Sequence, residues 1–110
     1  MSIEDLNKID FIGIPENDPD IVSLAISDHL PWGENTNEHL YALQGKINSY
    51  IEFIESGQIE ENFPKAKGRT KKKIVIYFKD APPQDVLFFF DKVKHVLAGI
   101  NVGLELIVDS

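Results

Sequence analysis

Between Ser27 and Gly57 the chain passes from a strand ending in Ser-Asp-His-Leu-Pro-Trp, through a polar turn, into a long amphipathic helix. This change of hydrophobic period constrains the fold more than any other stretch. Upstream, Ile21 to Asp28 alternates cleanly, with Val22, Leu24 and Ile26 facing a core and Ser23, Ala25 and Ser27 facing away. Downstream, Leu40, Leu43, Ile47, Tyr50, Ile51 and Ile54 recur at helical spacing, and Gly57 is placed to end the helix in the left-handed conformation. Asn35, Thr36 or Asn37 can cap its start, and Glu38 suits the positive end of its dipole.

Three further strands and one more helix complete the pattern. Lys8 to Ile14 predicts a strand joined to Ile21–Asp28 across the turn-rich Pro15-Glu-Asn-Asp-Pro-Asp20, which favours an antiparallel hairpin. Lys73 to Lys79 predicts a third strand. Ala81-Pro-Pro83 then opens a second helix with Val86, Phe89, Phe90, Val93, Val96 and Leu97 on its core face and Gly99 at its end. Gly103 to Val108 predicts the last strand. The order ββαβαβ predicts an α+β two-layer sandwich, a mixed four-stranded sheet with two helices mainly on one face, built as a single globular domain over residues 1–110. The last strand-helix-strand unit is expected to be a right-handed parallel crossover.

The bare face of such a sheet would carry Ile12, Ile14, Val75, Tyr77 and Ile107 beside Ser23 and Ala25. That is too apolar for water, so a homodimer or a protein partner is expected there, unless the second helix crosses to cover it. Tyr41 and Phe53 fall outside the first apolar stripe and Phe88 outside the second, and with Tyr77 they are the candidate interface residues.

Charge is unevenly spread. The net charge is −7, yet six of the eleven basic residues (Lys65, Lys67, Arg69, Lys71, Lys72 and Lys73) fall together with no acid among them. Five basic residues then face eighteen acidic ones over the rest of the chain, a body that repels a nucleic-acid backbone, so nucleic acid is not an expected partner. The basic run reads either as a solvated loop guarding an apolar strand against aggregation or as a contact for anions or a partner. The chain has no cysteine, which removes thiol nucleophiles and thiolate zinc sites. No apolar run approaches the roughly 18 residues of a membrane span, and Met1 to Lys8 lacks the pattern of a signal peptide. A soluble cytoplasmic protein without membrane contact is expected.

For chemistry, the clustered candidates are Asp28, His29, Trp32, Glu34, Glu38 and His39. Asp28, His29, Glu38 and His39 can be read as a ligand, divalent-metal or proton-transfer site. The other reading is a structural turn in which Asp28 caps the loop and Trp32 closes the core edge. The two histidines are ten positions apart rather than at i, i+4, and neither lies on a predicted core stripe, so both are expected to tolerate replacement. No residue is assigned a catalytic role, no cofactor or metal is implied, and no phosphate-binding glycine loop is present.

Lys8-Ile-Asp-Phe-Ile, Ser27-Asp-His-Leu-Pro-Trp32, Asn37-Glu-His-Leu, Ile54-Glu-Ser-Gly57 and Phe63-Pro-Lys-Ala-Lys-Gly68, in this order, resemble a small uncharacterised bacterial family, domain of unknown function 6572. The resemblance implies a standalone bacterial protein and brings no activity, catalytic residue or cofactor with it. Three classes of function follow. The first is a non-catalytic protein-interaction module, antidote- or adaptor-like, that self-associates. The alternatives are a small-ligand or metal-dependent enzyme using the Asp28 to His39 region, and anion or nucleic-acid binding through Lys65 to Lys73.

Overall fold

The computed structural model describes residues 9–33, 35–66, 68 and 71–108. Its elements are β1 (Phe11–Gly13), β2 (Ile21–Asp28), α1 (Thr36–Glu55), α2 (Gln58–Asn62), β3 (Lys71–Phe78), α3 (Leu87–Ala98) and β4 (Val102–Val108), with 3₁₀ turns at Pro64–Ala66 and Gln84–Val86. The four strands form one mixed sheet in the order β1-β2-β3-β4. β1 runs antiparallel to β2, while β2 with β3 and β3 with β4 are parallel. The predicted α+β fold is therefore observed, with a third, short helix added.

Because the parallel strands step across the sheet in one direction, right-handed crossovers place α1 and α3 on the same face. Burial follows that geometry. Val22, Leu24, Ile26, Ile74, Ile76, Phe78 and Val102, all of one parity, form a single core cluster with Leu43, Ile47 and Tyr50 of α1 and Phe90 and Leu97 of α3. Each fully buried side chain of this size contributes about 1.5–3 kcal/mol over its exposed state.

Local chemistry sets the boundaries. Gly57 has φ 79° and ends α1, where a residue with a Cβ would be strained, but the chain then turns at once into α2. Asn35 stands at the N-cap of α1 without a side-chain capping bond. Asn101, at φ 62°, turns the chain from α3 into β4, a left-handed position that asparagine tolerates. The first strand is shorter than Lys8 to Ile14, and Lys8 lies outside the described residues. β1 stops at three residues, and beyond it the Asp10 carboxylate accepts the Ser27 amide through Oδ2 at 2.9 Å, so a side chain continues where backbone pairing ends.

The open face differs from expectation at β1. Ile12 pairs with Leu24 and packs on the core, whereas Phe11, opposite Ala25, stands 64% exposed on the open side. Ile14 lines a shallow open-face cleft with Phe11, Val75 and Tyr77. Two other assignments change. Phe53 is partly buried against the core, and Val96 of α3 is exposed. Among the described residues no helix is long and apolar enough to cross a membrane.

Candidate functional site

The end of β2 and the first turns of α1 converge on one buried cluster. Asp28 shares the core-facing parity of Leu24 and Ile26, so its carboxyl enters the helix layer and is almost fully buried. Its Oδ1 accepts the Leu30 amide at 3.1 Å, a local turn that redirects the chain into Pro31 and Trp32. Its Oδ2 lies 2.6 Å from Nε2 of His39, itself buried on the first turn of α1. The other ring nitrogen, Nδ1, is 3.2 Å from the Pro31 carbonyl oxygen. Trp32 stacks on the imidazole with ring centroids 3.7 Å apart and planes at 19°, and its indole N–H donates to the Asp80 carbonyl at 3.1 Å. The loop Asp28 to Trp32 thus folds around His39.

This geometry fixes the protons. A carbonyl oxygen can only accept, so Nδ1 carries hydrogen and donates to Pro31. Nε2 and Oδ2, 2.6 Å apart, are joined by a hydrogen bond. Burial pushes the Asp28 carboxyl above its usual 3.8, opposed by the hydrogen bond and charge of His39, by the Leu30 amide and, least, by His29. Neither imidazole nitrogen has a lone pair directed to solvent, as a metal ligand or general base requires. The pair pins a loop.

A pH dependence follows. The unfolded Asp28 carboxyl loses its proton near 3.8 while the folded one keeps it to higher pH. Over that interval the folded state binds more protons, so this group's contribution to stability is complete below about pH 4 and is lost as pH rises through the folded value. Thermal melts of wild type and Asp28→Asn between about pH 4 and 8 are expected to show this decline in wild type only, since the amide retains a donor for Nε2 without titrating. Parallel curves would contradict it.

Of the other candidates, His29 is exposed, and Glu38 lines a cavity of about 540 Å³ with Leu30, Pro31, Trp32, Asn35, His39 and Ala42. Glu34 lies outside the described residues. Among the described residues no three His, Asp or Glu side chains stand together so as to hold a metal ion.

A second buried cluster was not foreseen. Lys46, fully buried in the middle of α1, reaches Asp10 Oδ1 at 3.0 Å. The Tyr50 hydroxyl donates to the Ala25 carbonyl and accepts the Asp10 amide at 2.9 Å. Burial holds the Tyr50 phenol protonated well beyond its usual range. The signal lay in the helix itself, because His39, Leu43, Lys46 and Tyr50 follow one another at alternating steps of four and three, the spacing of a single face.

A family model, described as Family of unknown function (DUF6572), matches residues 1–110. The chain belongs to that family. Neither a search of curated proteins nor one of solved structures found a match. In this DUF6572 member the basic run is not one loop. Lys71, Lys72 and Lys73 open β3, with Lys73 bound to Glu105 at 2.8 Å and Lys72 at 3.8 Å from Glu60. Lys65 lies in the 3₁₀ turn, and Lys67 and Arg69 are outside the described residues. Large apolar side chains stand in water elsewhere, with Tyr41 of α1 81% and Phe88 of α3 56% exposed, and Tyr77 exposed on the open sheet face. Phe88 borders a groove of about 320 Å³ between α1 and α3, lined also by Ile51, Phe89, Val93 and Val96.

Proposed function

We propose that this protein is a non-catalytic interaction module, antidote- or adaptor-like, that works as a self-associated unit. The observation that carries this reading is the contrast between its surface and its buried polar groups. Phe11 and Tyr77 are exposed on the open sheet face, Phe88 and Val96 beside the groove between α1 and α3, and Leu106 and Val108 at the end of β4, apolar surface that a partner would cover. Among the described residues, meanwhile, no buried side-chain nitrogen or oxygen lacks a hydrogen-bond partner, so the Asp28–His39 pair has no idle group to offer a substrate. Light scattering at micromolar concentration is expected to give a dimer mass. A strict monomer at every accessible concentration overturns the reading.

The cavity beside Trp32, Glu38 and His39 favours one second reading, a small-ligand or metal-dependent enzyme. Trp32 is the single tryptophan and stacks on His39, so its fluorescence reports the site directly. Titration with divalent zinc or manganese leaves the emission unchanged under the first reading and gives a saturable change under the second. Anion binding through the basic run is disfavoured by the carboxylates already facing Lys72 and Lys73.

A further inference from the structure

We infer that self-association runs through the outer edge of β4, which pairs antiparallel with β4 of a second copy about a two-fold axis normal to the sheet. The inference rests on the self-association proposed above and names its surface. β4 is the last strand of the sheet, and among the described residues nothing pairs with its outer side. A strand in that position presents a row of unmatched amide and carbonyl groups, and proteins that keep such an edge single blunt it with lysine, proline or a bulge. Val102 to Val108 reads Val-Gly-Leu-Glu-Leu-Ile-Val, with neither lysine nor proline. Its one charged side chain, Glu105, points to the open face and is bound to Lys73 of its own chain. Toward the helix face, burial is lost along the strand, from Val102 in the core to Leu106 at 38% and Val108 at 47% exposed.

The strand is complementary to itself in one register. An axis normal to the sheet keeps the helices of both copies on one side, so residues directly opposite must share a face. Centring the axis on Leu106 sets Leu106 against Leu106, Leu104 against Val108, and Glu105 against Ile107 of the second copy. The half-exposed leucine and valine are then covered by apolar neighbours and the two Glu105 carboxylates are kept apart. Centring it on Glu105 instead sets the two carboxylates directly opposite, which is destabilising. Backbone pairing supplies the attraction and side chains select the register.

The chain's lack of cysteine makes the test clean. Opposite residues of an antiparallel pair have Cα atoms about 4.5–5.5 Å apart, within the range a disulfide spans. Leu106→Cys is expected to form a disulfide-linked dimer under mild oxidation of the native protein, while Tyr41→Cys on α1 is not. Leu106→Lys is expected to halve the mass in light scattering with the circular dichroism spectrum unchanged. A dimer that survives Leu106→Lys, with no cross-link at Leu106→Cys, overturns the β4 edge and leaves self-association standing. A monomeric wild type overturns both.

Discussion

Lys46→Ala is expected to lower the unfolding free energy by about 3–5 kcal/mol, the range for removing one partner of a buried ion pair. The ammonium is fully buried and the Asp10 side chain nearly so, with 3.0 Å between their charged atoms. Truncation leaves a nearly buried carboxylate facing no cation, and the desolvation already spent on it is no longer offset. The loss should spread along the chain, because Asp10 also receives the Ser27 amide and donates its own amide to Tyr50. Neutralising both partners tests this account. In the pair Lys46→Met with Asp10→Asn the amide oxygen still accepts from Ser27 and no charge is buried, so much of the stability should return. Denaturant melts of wild type, Lys46→Met and the double variant decide it, and a double variant no better than Lys46→Met alone would show that the unpaired charge is not the source of the loss.

His39→Ala should cost a similar amount near neutral pH, about 3–5 kcal/mol, although the sequence points to a tolerant surface position. Removing the ring leaves the buried Asp28 carboxyl without its 2.6 Å partner and Trp32 without the surface on which it stacks. The penalty should shrink in acid, where a protonated carboxyl no longer carries a buried charge. His29→Ala, at an exposed position, should stay within about 0.5 kcal/mol of wild type. Thermal and urea melts at about pH 4 and 7 separate the two histidines. Equal, small effects for both would refute the buried dyad.

These expectations show where the sequence speaks and where it is silent. Alternation marks β2, Ile21 to Asp28, because the inward positions Val22, Leu24 and Ile26 are large aliphatics and the outward Ser23, Ala25 and Ser27 are small or polar. The same method inverts β1, since its register depends on the conformation of the turn before β2, and Phe11 and Ile12 are equally apolar. The helix at Gln58–Asn62 is missed because Gly57 is a genuine terminator and nothing in five residues announces a restart. The site is legible as a neighbourhood and not as a geometry. Asp28 and Trp32 are recognisable as turn and lid, but pairing of Asp28 with His39 depends on the path of the loop between them. Lys46 is harder still, because its partner is 36 residues away and a lysine on a helix usually reaches water.

Asp10 has a consequence beyond stability. By placing a carboxylate where the next backbone acceptor of β1 would stand, it finishes one margin of the sheet with a charged side chain, and β1 itself offers only three residues to a newcomer. The two margins of the sheet are therefore unequal: β4 offers seven residues to an added strand, whereas among the described residues the opposite margin offers the three of β1. Open-ended fibres need two reactive margins per subunit, and a three-residue edge gives an incoming strand little backbone to pair with.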